Sequence, residues 1–246
     1  TAPDKKAAPA PTPAPAADQN KEMDAVTLPV KNFRADIDIK KLYLREIAAE
    51  KWLTTVIIDG SRVKVEPLQL TLNNAPVNAK ADLDLSVPGF RYDVTAKATK
   101  IPLAPIANSF APEYKDRAAG DLFADINVKG AGTTGKSLQR NLTGNISLNF
   151  TNANIQIVEK GKFYPVMSAV ALILRVPELL KSPLDAVAAN VVMGNGNIDI
   201  QSAGVHSPTF IASTAGKITI DNVLTNSPLN LPVDFYLASG LAKHFS

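Results

Sequence analysis

The sequence predicts a mainly β protein whose strands form an extended antiparallel sheet with one apolar face, accompanied by a few short packed helices. Apolar and polar side chains alternate with a period of two over most of the chain after about residue 26. Turn-forming pairs separate the alternating stretches: Asp59-Gly60, Asn73-Asn74, Pro88-Gly89 and Asn195-Gly196. Short strands joined by tight turns are typical of antiparallel meanders, not of alternating strand–helix–strand units.

The first part of the chain has a different composition from the rest. Residues 1–22 are rich in Ala and Pro and carry no apolar periodicity, so they cannot bury a core and favour extended conformations. We therefore assign residues 1–25 to a disordered linker and residues 26–246 to one β-rich domain. A sub-boundary near residue 115 is an open interpretation.

The domain is expected to contain strands with one apolar and one polar face. The clearest alternation covers residues 77–85, 90–98, 142–150 and 229–237. The alternation changes phase at Lys40-Lys41 and near Pro67, as a β-bulge would cause.

Two segments have helical patterns. Residues 102–114 predict a short helix, and residues 164–192 predict one helix broken at Pro177 and another after Ser182. The stretch before Pro177 is apolar nearly all round, so we expect it to be buried.

Composition excludes several functional classes. A net charge of +3 with scattered Lys and Arg argues against a nucleic-acid-binding face. The chain has no cysteine and only two histidines, His206 and His244, which excludes disulfides, thiolate sites and a multi-histidine metal site. No apolar run reaches the length of a membrane span. Because the sequence begins at Thr1, we expect a piece of a longer or processed protein, with any membrane anchor outside this chain.

Residues 130–137, GAGTTGKS, match the G-x-x-x-x-G-K-[ST] pattern of phosphate-binding loops. Such a loop needs a strand buried on both faces before it and a long helix after it. The preceding stretch 121–128 exposes Asp121 and Asp125, and only SLQRNL could be helical afterwards. A glycine-supported turn is therefore favoured over nucleotide binding.

The remaining polar candidates do not form a catalytic pattern. Asp36 and Asp38 share a strand face, for which a solvated surface is favoured over a glycosidase-type carboxylate pair. The sequence has no Gly-x-Ser-x-Gly nucleophile elbow, so a hydrolase triad that includes His206 is not favoured. Trp52 is interpreted as a core or interface residue. We predict no enzyme activity, no catalytic residue, no metal site and no cofactor.

Three stretches, 36–85, 136–156 and 194–222, resemble the periplasmic part of AsmA-family proteins. They are similar to the family's β-module, to its short helix running into L-x-G and a strand, and to its closing "G-x-i-x-i … G-x-i-x-l" segment. The chain has Asn73-Asn74-Ala75-Pro76 where the family usually has Gly-Gly, and this leaves the local turn geometry open. The glycine-rich stretch 130–137 falls where the family has a turn before its short helix.

The resemblance implies a fold and a function. The sheet is expected to curl into a groove with an apolar interior that holds the acyl chains of a phospholipid or another lipid. It also implies a periplasmic module, anchored to the inner membrane by a segment outside this chain, that contributes to lipid transport and outer-membrane homeostasis.

Inward-facing apolar residues are the expected lipid contacts, and a helix around residues 166–174 is expected to cap or plug one end. The candidates are Ile146, Leu148, Phe150, Ile198, Ile200, Ile218 and Ile220. Each could instead be plain core. The alternative hypothesis is a closed β-domain that acts as a structural or interaction module and docks an outer-membrane assembly partner through an exposed strand edge. Lipid carriage predicts a continuous trough, and the alternative predicts a filled core.

Overall fold

The computed structural model describes residues 21–111, 115–155, 168, 171–172, 177–180 and 183–238. These residues form one sheet of eleven antiparallel strands in sequence order, which is not closed into a barrel. The mainly β prediction is confirmed. The strands are β1 Phe33–Leu44, β2 Ile47–Asp59, β3 Arg62–Leu72, β4 Ala75–Asp84, β5 Arg91–Pro102, β6 Ala118–Ala131, β7 Thr143–Ile155, β8 Ala186–Gly194, β9 Asn197–His206, β10 Phe210–Thr219 and β11 Val233–Leu237.

The hairpin turns lie where the sequence predicts them. Asn73 and Asn74 join β3 to β4 with φ angles of 47° and 68°. Asn tolerates this left-handed conformation better than other residues with side chains, so the pair replaces Gly-Gly. Asn73 also ties the turn to β2, because its Oδ1 accepts a hydrogen bond from the Ala48 amide at 2.7 Å.

Because the strands alternate in direction, the sheet has two ends at which the chain turns. The α1 end carries the β1–β2 and β3–β4 turns and helix α1, Leu103–Phe110, which follows β5. The α2 end carries the β2–β3, β4–β5 and β8–β9 turns and helix α2, Gly135–Asn141, between β6 and β7. The helix predicted over residues 102–114 is confirmed for residues 103–110.

Irregularities interrupt several strands. The predicted bulge near Pro67 is confirmed, since β3 carries an extra residue between Val65 and Leu68 relative to both neighbours. The phase change at Lys40-Lys41 coincides with a shift of β2 against β3 between Glu50 and Leu53. Extra residues relative to a neighbouring strand also occur in β5, β7 and β9. Bulges bend strands and increase their twist, which favours a curled sheet.

One helix prediction is wrong. The segment after Ser182 contains β8, whose residues pair with β7 on one side and with β9 on the other. Short apolar runs such as AVAANVV fit the periodicity of a helix and that of a strand. The backbone hydrogen bonds to two neighbouring strands stabilise the strand. Before Pro177, the described residues Ser168, Ala171 and Leu172 are helical, and Pro177–Leu180 forms a 3₁₀ turn. The rest of the predicted helix, including most of 166–174, lies outside the described residues.

The fully buried core is small and lies at the α1 end. Its central residues are Ala153, Ala171, Leu179, Leu184 and Phe210. Leu103, Phe150, Val187, Val205 and Phe235 pack against it, and the rings of Phe210 and Phe235 stack with centroids 5.3 Å apart. In the part of the chain that the structure describes, no helix is long and apolar enough to cross a membrane. The division into residues 1–25 and 26–246 stays a prediction.

Candidate functional site

The apolar face of the sheet carries a continuous row of side chains that crosses the strands. Residues directly opposite each other in an antiparallel ladder lie on the same face. The row, called here the central row, consists of Ile37, Thr54, Leu68, Ala79, Ala96, Ile126, Ile146, Val191 and Ile200. It therefore runs without interruption from β1 to β9.

Two further rows flank the central row on the same face. The row towards the α2 end consists of Ala35, Val56, Val65, Ala81, Val94, Val128, Gly144, Met193, Ile198 and Ile218. The row towards the α1 end consists of Val77, Ala98, Ala124, Leu148, Ala189, Ala203 and Thr214. The three rows together are called the trough. It spans ten strands, β1 to β10, and a spacing of about 4.8 Å gives it a length of roughly 45 Å.

The trough is apolar but not covered by a second layer among the described residues. From Leu68 to Ile200 the central row is half-buried, whereas the fully buried apolar side chains gather mainly at the α1 end. Apolar surfaces of this extent are uncommon on soluble proteins, and they are typical of sites that contact a ligand, a membrane or another protein.

The opposite face of the sheet is polar. It carries exposed ion pairs between neighbouring positions: Arg34–Asp36, Lys41–Glu50, Lys64–Glu66, Lys129–Asp93 and Lys97–Asp125. Hydrogen bonds from Arg34 are the largest cause that holds the pKa of Asp36 below its usual value. These exposed pairs are typical of a solvated surface and contribute little to stability.

Helix α1 borders the trough at one end of the sheet. It follows β5 in the chain, yet it bonds to the distant β1–β2 turn. The Glu46 amide donates to Ser109 Oγ at 3.2 Å, and Asn108 Nδ2 donates to Glu46 Oε2 at 2.8 Å. The Arg45 guanidinium donates to the Ser109 carbonyl. The helix thus extends along the α1 end from β5 towards β1 and β2.

Residues 22–30, called the N-terminal strap, cross the α2 end of the sheet. The Gly89 amide donates to the Met23 carbonyl at 2.7 Å, and the Val26 amide donates to the Leu85 carbonyl at 2.8 Å. At the β2–β3 turn, the Gly60 amide donates to the Val30 carbonyl at 2.8 Å. The strap therefore passes over the turns from β1 to the loop before α2.

The strap is fixed by the carboxylate of Glu22. It accepts hydrogen bonds from the amides of Thr133 and Thr134 at 2.7 and 3.2 Å, and from the hydroxyls of both residues. Burial raises the pKa of Glu22, but hydrogen bonds from Ser137, Thr134 and Thr133 outweigh this effect and lower the pKa to about 2.

The stretch that matches the phosphate-binding pattern is thus occupied by the chain's own carboxylate. Strand β6 before it is antiparallel to both neighbours, and α2 after it has seven residues. Its glycines serve packing. A Cβ on Gly135 would lie 2.0 Å from the Asp221 carbonyl oxygen, and one on Gly130 would lie 2.3 Å from the Tyr92 hydroxyl. Of the three glycines in this stretch, only Gly132, with a φ angle of 84°, supplies the positive φ angle expected of a turn, whereas Gly130 lies in β6 and Gly135 in α2.

The predicted lipid contacts share the apolar face. Ile146 and Ile200 lie in the central row, and Leu148, Ile198 and Ile218 lie in the flanking rows. The other two candidates lie beside the trough: Phe150 packs against the buried core at the α1 end of the sheet, and Ile220 follows β10 at the α2 end and is 1% exposed. Their role in lipid binding stays a prediction.

The candidates predicted from the sequence lie on β7, β9 and β10 or directly after β10, and they do not include the same rows on β1 to β6. The alternation of residues 77–85 and 90–98 was the signal that could have extended the set. Glu22 was also missed, because nothing in its local sequence points to Thr133 and Thr134.

The polar residues considered in the sequence analysis do not lie together in a catalytic site. His206 Nδ1 lies 2.5 Å from Asp185 Oδ1, and both side chains are exposed. Within the described ranges no group of His, Cys, Asp and Glu could hold a metal ion.

Comparison with known proteins adds one match. The AsmA family model matches residues 1–198. No curated protein and no solved structure matches the chain.

Proposed function

Because the chain belongs to the AsmA family, we propose that it is a non-enzymatic, lipid-binding module of the Gram-negative envelope that holds acyl chains in its trough. AsmA-family proteins are envelope-associated. The finer assignments proposed are a periplasmic location, inner-membrane anchoring through a segment outside this chain, and a contribution to phospholipid transport and outer-membrane homeostasis.

The central row is the observation that supports the proposal. From Leu68 to Ile200 it is an unbroken line of half-buried aliphatic side chains that no second layer covers within the described residues. An acyl chain measures about 15 Å, half the hydrocarbon core of a bilayer. A trough of roughly 45 Å could therefore hold chains at several positions along its length.

Burial of acyl chains supplies enough free energy for lipid binding, and movement of lipid along the trough requires no catalytic group. Each methylene transferred from water contributes about 0.8 kcal/mol. Because neighbouring positions of the central row are chemically similar, a chain can shift along it without losing a specific contact. The trough extends from the edge strand β1 to β10, which lies next to the other edge strand, β11. Lipid would enter and leave at these two edges.

A second candidate function rests on the β1 edge. This strand has twelve residues, pairs only with β2 among the described strands, and exposes Tyr43 and Leu44 by 64% and 54%. A strand of an outer-membrane assembly partner could extend the sheet there. The sheet would then serve as a scaffold.

The two functions differ in what the trough contains. We would purify the protein from cells, record native mass spectra and extract lipid from the same sample. Lipid carriage predicts bound phospholipid that is lost in Ile146→Asp and Leu148→Asp, since a carboxylate in the trough cannot be solvated beside an acyl chain.

Asn145→Asp and Asn149→Asp are the matched controls, because they place the same carboxylate on the same strand but on the polar face. They should keep the lipid, and circular dichroism should report folded protein for all four variants. A lipid-free wild type, or equal loss of lipid in both pairs of variants, would contradict the proposal and favour the scaffold.

A further inference from the structure

Two polar atoms lie on the apolar face without a partner. Thr54 belongs to the central row, opposite Ile37 and Leu68, and Trp52 lies two residues earlier on β2, opposite Ile39. Thr54 is 6% exposed. Neither its Oγ1 nor Trp52 Nε1 is accessible to solvent, and neither has a hydrogen-bond partner in the described part of the chain.

Such atoms require an explanation, because nearly all buried polar groups in folded proteins are hydrogen-bonded. Val and Phe would fill similar space here without an unsatisfied group, and the neighbouring rows use Val and Ile freely. The preceding residue, Lys51, has a φ angle of 52° at the point where β2 shifts against β3. Bulges commonly re-aim a side chain near functional sites.

We propose that Trp52 and Thr54 form a hydrogen-bonding site for the ester carbonyls of a diacyl glycerolipid that lies in the trough. The proposal rests on the lipid-binding function proposed above. Because both atoms are inaccessible in the structure, each side chain would have to change its rotamer for Oγ1 and Nε1 to face the bound lipid.

The chemistry of the two groups selects the ligand. The indole N–H is only a donor, and the threonine hydroxyl can donate as well. Their cross-strand neighbours on this face are aliphatic, so no cation is placed to neutralise a carboxylate or a phosphate. A neutral oxygen acceptor fits best. Residues 52 and 54 are about 7 Å apart along the strand, which allows each group to meet a different carbonyl.

The test compares two phosphatidylethanolamines with the same head group and chain length, one ester-linked and one ether-linked. Each competes with a fluorescent fatty-acyl probe for the purified, delipidated protein. The wild type should bind the ester lipid roughly threefold to tenfold more tightly, the effect of about one neutral hydrogen bond.

Thr54→Val and Trp52→Phe should each lose much of this preference, measured as the ratio of ester-lipid to ether-lipid affinity within each variant. Thr55→Val is the matched control, because it removes the neighbouring hydroxyl, which donates to Asp36 on the polar face. It should retain the preference.

A second measurement separates this role from a structural one. Replacement of an unsatisfied buried hydroxyl by a methyl group should leave the urea midpoint of Thr54→Val unchanged or higher. A lower midpoint with unchanged ester preference would mean that the hydroxyl serves the core, and would overturn the proposal. Equal binding of ester and ether lipids by the wild type would overturn the proposed hydrogen-bonding site but not the proposed lipid binding. Absence of any lipid binding would overturn the proposed function as well.

Discussion

At the scale of single residues, Glu22 links the N-terminal strap to the loop before α2. It lies in a segment without regular secondary structure, yet its carboxylate satisfies two backbone amides of the loop before α2. Hydrogen bonds to an ionised group are the stronger kind. The strap is therefore held at its far end by a charge-assisted contact and not only by the backbone bonds at the turns.

Glu22→Gln should lower the free energy of unfolding at pH 7 by roughly 1–3 kcal/mol, because a neutral amide replaces the ionised acceptor. The folded-state pKa of about 2 lies below the usual value of 4.5. The stabilisation is therefore present above about pH 4.5 and is lost as the pH falls towards 2. Urea unfolding at several pH values should show the two proteins converging under acid conditions.

Asp24→Asn serves as the control for the Glu22 variant. Its carboxylate is 88% exposed and lies 4.0 Å from the Lys21 ammonium, so its loss should change stability by less than about 0.5 kcal/mol. A difference between Glu22→Gln and the wild type that persists undiminished at pH 2.5 would show that the carboxylate charge is not the cause.

At the scale of secondary-structure elements, α2 connects two distant parts of the sheet. The helix lies between β6 and β7 in the chain but contacts the segment that follows β10. Gln139 Nε2 donates to the Ile220 carbonyl, and Gly135 faces the carbonyls of Asp221 and Asn222. With the N-terminal strap, α2 borders the trough along the α2 end.

Gly135→Ala should destabilise the protein by roughly 1–3 kcal/mol, because the new methyl group would lie 2.0 Å from the Asp221 carbonyl oxygen and would push the helix away. Helix propensity alone predicts the opposite sign, a gain of up to about 1 kcal/mol. The urea midpoint therefore decides between the two effects.

Gly194→Ala is the control for the glycine series, since a Cβ there would meet no atom within 4 Å. Its midpoint should stay within about 0.5 kcal/mol of the wild type. If Gly135→Ala proved as stable as Gly194→Ala, α2 would not be packed against the β10–β11 connection as described.

At the scale of the whole molecule, the apolar rows stay in phase across the sheet although several strands carry bulges. Where β3 gains a residue between Val65 and Leu68, the pairing shifts by one residue, and Leu68 still lies opposite Thr54 and Ala79. A one-residue slip without such an adjustment would send the following side chains to the polar face. The continuity of the trough thus depends on these irregularities.

The single tryptophan of the chain, Trp52, reports on the occupancy of the trough. If acyl chains lie on the apolar face, phospholipids with brominated acyl chains should quench its fluorescence. Steady-state fluorescence during titration with brominated and unbrominated lipid measures this effect. Lack of quenching despite lipid binding would place the lipid elsewhere.

The control moves the fluorophore across the sheet. In the double variant Trp52→Phe, Leu53→Trp the indole lies on the polar face, where Leu53 is 45% exposed and opposite Asp38. Brominated lipid should quench this variant far less than the wild type. Equal quenching of both proteins would indicate non-specific association with the surface.

Much of the fold follows from local patterns in the sequence. The alternation of residues 77–85 gives β4 its apolar and polar faces, and Asn73-Asn74 predicts the turn before it. The helix over 103–110 was also predictable. The pattern after Ser182 was not, because its local periodicity does not distinguish a helix from β8 and the partners of that strand are distant in sequence.

The sequence by itself determined a β-rich chain with one apolar face, its turns and its membership of the AsmA family. Only the tertiary structure decided that the face forms one open trough, which residues share a row, and that Glu22 lies against Thr133, 111 residues away. The physical reason is the range of the interactions. Side-chain alternation and turn conformation act between neighbours, whereas the covering of an apolar face depends on contacts that exist only after distant strands have paired.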